Sequence, residues 1–195
     1  SLNNCVFTNN SATYGGGISS PSTSLNNCVF TNNSATYGGG ISSPSTSLNN
    51  CVFTNNSATY GGGIFSSPPR SSDATSSLTN CVFTNNSASK DGGGIYYASF
   101  YDDTRTTTSL NNCVFTNNSA SGDGGGIYYA SYRVPEVGYG TRTTASLSNC
   151  VFTNNSASGD GGGISSSSFT SNINRCFLTL YNCVFTNNSA RYGGG

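Results

Sequence analysis

Three aspartates at equivalent positions are the residues of this chain that could do acid/base or metal chemistry. Asp91, Asp123 and Asp160 each precede a glycine triplet. Aligned carboxylates can bind Ca²⁺ or cleave a polysaccharide, but Ca²⁺ takes roughly six to eight oxygen ligands. One aspartate per repeat supplies few of these, and the sequence has no histidine. We therefore expect solvated turn aspartates, with no catalytic residue, metal or cofactor; a weak cation site and a polysaccharide-cleaving enzyme are the alternatives.

A second candidate site is the tripeptide Asn-Asn-Ser, which matches the acceptor sequence for N-glycosylation. The first asparagine could point to solvent and carry a glycan. In the alternative interpretation, both asparagines form ladders at a corner of the backbone. The candidate acceptors are Asn9, Asn32, Asn55, Asn85, Asn117, Asn154 and Asn187.

Cysteine is the third residue type with chemistry of its own. Seven of the eight cysteines occupy the same position of a repeat, which predicts a column of buried free thiols that act as small hydrophobic side chains. Cys176 lies outside the repeat and seven residues before Cys183. A disulfide between these two is the alternative for that pair.

The elements that position these residues follow from the octapeptide "CVFTNNSA", which occurs seven times. Aligned on the Ser/Thr-Leu dipeptide before each copy, the coils start at residues 1, 24, 47, 77, 109, 146 and 179. A repeat of this size is typical of a solenoid, and the shared Val, Phe, Thr, Asn and Gly favour strands over helices. The sequence thus predicts an all-β, single-stranded parallel β-helix, one domain over residues 1–195, with three short strands per coil.

Within one coil, alternation along a strand directs Cys5 and Phe7 inward and Val6 and Thr8 outward, with corners at the Asn-Asn pairs. Ile18 also points inward. The opposite register would bury Val6 and expose a phenylalanine in every coil. The predicted stacking core is Cys5, Phe7, Ile18, Cys28, Phe30, Cys51, Phe53, Cys81, Phe83, Cys113, Phe115, Cys150, Phe152, Cys183 and Phe185.

Almost all variation in coil length falls between the Gly-Gly-Gly-Ile segment and the next Ser/Thr-Leu. The inserted loops therefore lie along one edge of the solenoid, where insertions often form a binding surface. Tyrosine with arginine is typical of contact surfaces. The candidate contact residues are Tyr97, Tyr101, Arg105, Tyr129, Tyr132, Arg133 and Arg142. The alternative is that Tyr96 and Tyr128 extend a strand and cover the flank of the core.

Composition limits the classes of partner. Only 7% of residues are charged and the net charge is zero, so no positive field attracts nucleic acid, and little repulsion keeps copies apart. No apolar run is long enough to predict a membrane-spanning helix.

The paired motifs Phe-Thr-Asn-Asn (from Phe7) and Gly-Gly-Gly-Ile (from Gly15) resemble the F-x-x-N and G-G-A-I repeats of polymorphic outer membrane proteins and related surface adhesins. The departure is Gly for Ala in the second motif. The resemblance implies a right-handed parallel β-helix displayed outside the cell or at its surface, with a structural or adhesive role and no catalytic residues.

The two end coils resemble the internal ones. Tyr14 of coil one and Tyr192 of coil seven occupy the same position before the glycines, so copies stacked head to tail would continue one tyrosine column. We therefore expect a filament subunit whose partner is itself. A longer array, of which this chain is a part, is the alternative account of the ends. An adhesin that binds glycans or receptors through the Tyr/Arg loops is the second functional hypothesis.

Overall fold

The structure is a computed structural model that describes residues 1–69, 72–100, 104–132, 142–168 and 175–195. It confirms the all-β parallel β-helix: the described elements are strands, and each strand pairs in parallel with its equivalents in neighbouring coils. Four sheets, rather than three, run along the axis. The extra sheet arises because the segment after the second Asn-Asn corner pairs by itself, and because the glycine triplet forms a corner instead of a strand.

The Leu sheet precedes the first Asn-Asn corner and holds a buried leucine in its interior coils. Its strands lengthen from coil four onward, because residues of the inserted segments join the ladder. It consists of β1 (Leu2–Asn3), β5 (Thr23–Asn26), β9 (Thr46–Asn49), β13 (Ala74–Thr79), β17 (Arg105–Asn111), β21 (Arg142–Ser148) and β25 (Arg175–Tyr181).

The Phe sheet is the Val-Phe-Thr part of the octapeptide and is the most regular of the four. Valine pairs with valine, phenylalanine with phenylalanine and threonine with threonine at each step. It consists of β2 (Val6–Thr8), β6 (Val29–Thr31), β10 (Val52–Thr54), β14 (Val82–Thr84), β18 (Val114–Thr116), β22 (Val151–Thr153) and β26 (Val184–Thr186).

The Ala sheet follows the second corner, and its serines and alanines line a shallow groove on the outside of coils three to six. It consists of β3 (Ser11–Tyr14), β7 (Ser34–Tyr37), β11 (Ser57–Tyr60), β15 (Ser87–Ala88), β19 (Ser119–Ala120) and β23 (Ser156–Ala157). Isolated bridges from Ser156 to Ser189 and from Asp160 to Tyr192 continue this pairing into coil seven.

The Ile sheet follows the glycine triplet and completes the coil. Its strands lengthen from two residues to five in coils four to six. It consists of β4 (Ile18–Ser19), β8 (Ile41–Ser42), β12 (Ile64–Ser66), β16 (Ile95–Ser99), β20 (Ile127–Ser131) and β24 (Ile164–Ser168).

Left-handed backbone angles make the corners. In every coil the last asparagine before the cysteine and the first asparagine after the threonine have φ between 50° and 58°, as at Asn4 and Asn9. Asparagine tolerates this region better than other non-glycine residues. The first glycine of each triplet also has positive φ, for example 58° at Gly15. The third corner therefore depends on glycine.

Close approach of the coils explains the rest of the triplet. A Cβ at Gly93 would lie 2.2 Å from the carbonyl oxygen of Gly125, and a Cβ at Gly94 would lie 3.1 Å from the ring of Phe115 in the next coil. The second and third glycines thus let the backbone of the next coil and its phenylalanine ring approach closely.

The interior is a set of single-residue columns. Successive phenylalanine rings stack with centroids 4.7 to 4.9 Å apart and planes 2° to 7° apart, from Phe7 to Phe185. Leucine, cysteine and isoleucine columns pack against this stack. Cysteine and phenylalanine are therefore the inward residues, and the opposite register is wrong.

A buried asparagine ladder holds the second corner. The backbone N–H and the side-chain amide of Asn86 both donate to Oδ1 of Asn118, each at 3.0 Å, and the same side-chain amide donates to the carbonyl of Phe53 at 2.9 Å. The pattern repeats from Asn10 to Asn188. Each interior asparagine thus joins three coils, which satisfies polar groups that are costly to bury unpaired.

We predict that Asn118→Ala destabilises the protein by about 3 kcal/mol or more, because it leaves the amide groups of Asn86 and the carbonyl of Phe83 unpaired in the core. The measurement is chemical denaturation followed by circular dichroism. The matched control is Asn117→Gly at the exposed neighbouring position, where φ is 55° and glycine fits, so stability should stay within about 0.5 kcal/mol. Equal effects of the two substitutions would contradict the ladder.

Candidate functional site

The tyrosines that precede the glycine triplets form a column on the outside of the first three coils. The rings of Tyr14 and Tyr37 stack with centroids 4.9 Å apart, and those of Tyr37 and Tyr60 with centroids 5.8 Å apart. Tyr192 occupies the equivalent position of coil seven, opposite Asp160. Tyr14 is 53% exposed and Tyr192 is 63% exposed. End-to-end contact through these two residues stays a prediction.

The aspartates continue this column through coils four to six, where they support the backbone. Oδ1 of Asp91 accepts a hydrogen bond from the backbone N–H of Asp123 at 2.9 Å, and Oδ1 of Asp123 accepts one from the N–H of Asp160 at 2.8 Å. Burial raises the pKa of Asp91. Over the described ranges, no group of three or more His, Cys, Asp or Glu side chains is arranged to hold a metal ion. The column therefore works as a second ladder, in which each carboxylate accepts from the backbone of the next coil, opposite in direction to the asparagine ladder.

The candidate glycosylation positions coincide with the left-handed corner after the Phe sheet. Asn9, Asn32 and their five equivalents have positive φ and exposed side chains, whereas the second asparagine of each pair forms the buried ladder. This geometry leaves the first asparagine accessible. Neighbouring acceptors are one strand spacing apart, about 4.8 Å, so adjacent glycans would crowd each other. Glycosylation of Asn9, Asn32, Asn55, Asn85, Asn117, Asn154 and Asn187 stays a prediction.

The cysteine column lies inside the first corner, and all eight thiols are free. Each repeat thiol donates to the carbonyl two residues before it, as Cys113 does to Asn111 at 3.4 Å. The thiol of the following coil lowers the pKa of Cys81 and of Cys113, but the thiol of the preceding coil and burial outweigh it and raise each pKa to about 12. Such neutral, buried thiols are unreactive.

Cys176 and Cys183 are free thiols in this structure, so the structure contains no disulfide between them. Cys176 lies in β25, where it pairs with Thr143, and its sulfur accepts a hydrogen bond from the Ser166 hydroxyl at 3.1 Å. Burial raises its pKa. Cys183 belongs to the column of repeat cysteines and follows the first Asn-Asn corner of its coil.

The predicted Tyr/Arg contact surface is wrong for Tyr97 and Tyr129. Both side chains have no exposed surface, because β16 and β20 alternate and direct Ile, the second Tyr and Ser into the core. Their rings stack on each other with centroids 5.4 Å apart. The sequence carried this signal: the second tyrosine lies two residues after an inward isoleucine.

The first tyrosine of each pair covers the outside of the Ile sheet. Tyr96 and Tyr128 belong to an outer aromatic cluster, which also contains Tyr60, Phe65, Phe100 and Tyr132. The half-buried Tyr132 accepts a hydrogen bond from the Tyr96 hydroxyl at 3.4 Å, lies 3.1 Å from the Tyr128 hydroxyl, and stacks on Phe100. These tyrosines therefore extend strands and cover the flank of the core. Tyr101 and Arg133 lie outside the described residues.

Arg105 and Arg142 are exposed, and the register brings them together. Arg105 pairs with Arg142, which pairs with Arg175, at the start of β17, β21 and β25. The guanidinium of Arg142 lies 5.0 Å from the ring centroid of Phe177. The alignment of these arginines was not predicted from the sequence, although each arginine stands four residues before the Ser/Thr that starts a coil.

No helix that could cross a membrane occurs in the part of the chain that the structure describes.

Comparison with protein families matches six segments of the chain to the Chlamydia polymorphic membrane protein (Chlamydia_PMP) repeat. The segments are residues 4–21, 27–44, 50–67, 80–98, 112–130 and 149–167. They begin at the left-handed asparagine of the first corner and end in or just after the Ile sheet, so one match corresponds to three corners of one coil. No curated protein and no solved structure matched the chain. Fold and repeats together support a structural or adhesin-type protein of the cell surface, and the chain belongs to the Chlamydia polymorphic membrane protein repeat family.

Proposed function

We propose that the chain is a structural rod of the cell surface that extends by head-to-tail stacking on copies of itself. The observation that carries the proposal is the direction of the asparagine ladder. At each step, amide groups of one coil donate to Oδ1 of the next coil along the chain. Within the ladder, one edge of a coil therefore offers asparagine amide donors, and the other edge offers an asparagine Oδ1 acceptor.

The first and the last coil present the asparagine groups that such a contact needs. Asn188 accepts from Asn155, and its own amide donates back to the carbonyl of Phe152, so the second corner of its coil has the geometry of an internal one. Asn10 donates to Asn33 in the same manner. If coil one of a second copy stood above coil seven, Asn188 would donate to Oδ1 of Asn10, and Phe185 would stack on Phe7.

Low charge supports the same assembly. The chain has seven acidic and seven basic residues, so copies approach each other without a net repulsion. A heterologous contact with little rotation between copies leads to an open filament, since the contact never closes a ring. In this proposal the protein has no catalytic activity, which fits the use of the Asp91 and Asp123 carboxylates as backbone acceptors.

We predict that purified chain forms unbranched filaments visible by negative-stain electron microscopy. The variant Tyr14→Lys/Tyr192→Lys places a positive charge on each side of the junction, at two exposed positions, and should leave single short rods. The control Ser77→Lys/Ser109→Lys adds the same charge at exposed positions on the side of the Leu sheet and should still assemble. Short rods from the unmodified chain, or filaments from all three proteins, would refute the proposal.

The second candidate function is adhesion to anionic glycans, and the exposed side chains of Arg105 and Arg142 favour it. Arg105 and Arg142 stand in adjacent coils, and the guanidinium of Arg142 lies beside the partly exposed ring of Phe177. This combination is suited to charged and stacking contacts with a sugar.

We predict that, if this surface is adhesive, sulfated or sialylated glycans on an array retain the chain, and that Arg105→Gln/Arg142→Gln abolishes retention without a loss of folding. The matched control is Thr107→Gln/Thr144→Gln, two residues further along the same strands. Retention that survives the arginine substitutions would exclude this surface.

A further inference from the structure

The outer face of the Phe sheet is a two-column array that the proposed assembly does not use. Each strand of this sheet turns its valine and its threonine outward, and the phenylalanine between them inward. Seven coils repeat the pair without a single substitution. The array consists of Val6, Thr8, Val29, Thr31, Val52, Thr54, Val82, Thr84, Val114, Thr116, Val151, Thr153, Val184 and Thr186.

This array is flat and regular. The phenylalanine rings behind it are 4.7 to 4.9 Å apart and within 2° to 7° of parallel, so successive strands hardly rotate. Adjacent strands of an ordinary sheet rotate by about 20° to 25°. Along each strand the valine and the threonine are two residues apart, about 6.6 Å. The outer face is therefore a rectangular lattice of methyl and hydroxyl groups.

The lattice is uncharged, and its threonine hydroxyls are available to bind a ligand. None of the threonine side chains in it hydrogen-bonds to any residue that the structure describes. The columns on either side are the left-handed asparagines, represented by Asn80 and Asn85 in coil four. A neutral face of this kind has no Coulomb attraction for an ionic ligand, and it lacks the aromatic side chains that stack on sugars.

Area argues against a second copy of the chain as the occupant. The face is about 30 Å long and 12 Å wide, roughly 350 Å². A stable protein interface buries about 800 Å² on each partner. Two single copies in contact through this face alone would therefore hold each other weakly.

Ordered water fits the face better. Water over a methyl group keeps its hydrogen bonds by forming a cage with other water molecules, and a hydroxyl fixes such a cage to the protein. On an irregular surface these waters take irregular positions. Here both spacings are constant from coil to coil, so waters held by successive hydroxyls take positions that repeat as they do on a crystal face. We propose that the outer face of the Phe sheet binds crystalline water, and that the protein adsorbs to ice.

Ice adsorption is tested with the whole chain. We expect the unmodified protein to inhibit ice recrystallisation, to shape single ice crystals and to partition into ice grown slowly from solution. The variant Thr84→Tyr/Thr116→Tyr raises two side chains above the centre of the lattice, on strands that accept aromatic residues, and should lose all three effects. The control Ser77→Tyr/Ser109→Tyr makes the same change in the same two coils on the outside of the Leu sheet, and should retain them.

Circular dichroism of each variant separates loss of the face from loss of the fold. If Thr84→Tyr/Thr116→Tyr fails to fold, Thr84→Val/Thr116→Val keeps the shape and removes two hydroxyls, and a reduced effect on ice is then the expected result. An unmodified protein that leaves ice growth unchanged overturns the proposal. So does equal ice activity in the face variant and the control, or binding to crystalline cellulose or chitin without an effect on ice.

Discussion

In-register stacking of identical side chains is the constraint on which the whole structure depends. An amide of the buried ladder is satisfied only if an asparagine stands one strand spacing above it, and a ring of the Phe column is covered only if another phenylalanine lies parallel to it. A substitution in one coil therefore disturbs two interfaces. This is the physical reason that the octapeptide is invariant while the inserted segments differ in length and content.

Because of the same constraint, most of the fold could be predicted from the sequence. Alternation fixed Cys5 and Phe7 as inward residues, and the Asn-Asn pairs predicted the corners, because few residues other than glycine accept left-handed angles. The number of sheets was less accessible, since the short segment after the second corner has no apolar alternation of its own. Its pairing follows from the two coils around it, which is a tertiary effect.

Predictions for the loop edge failed where insertions became strands. Tyr97 and Tyr129 were predicted as contact residues from composition, yet they continue the period-two pattern set by the isoleucines before them and so are buried. The arginine column, in contrast, could be predicted only by aligning the residues that precede each coil, because each arginine lies four residues before a coil begins. Composition describes a surface only after the register has been assigned, and here the inserted segments share the register of the coils that they interrupt.

Distances between spin labels on the outside of the Leu sheet test the stacking most directly. Ser24 and Ser146 are four coils apart, and so are Ser47 and Thr179, although the second pair is separated by more residues. Labels introduced as non-natural amino acids leave the cysteines untouched. In-register stacking predicts the same narrow distance for both pairs, about 19 Å. Distances that grow with the number of intervening residues would contradict it.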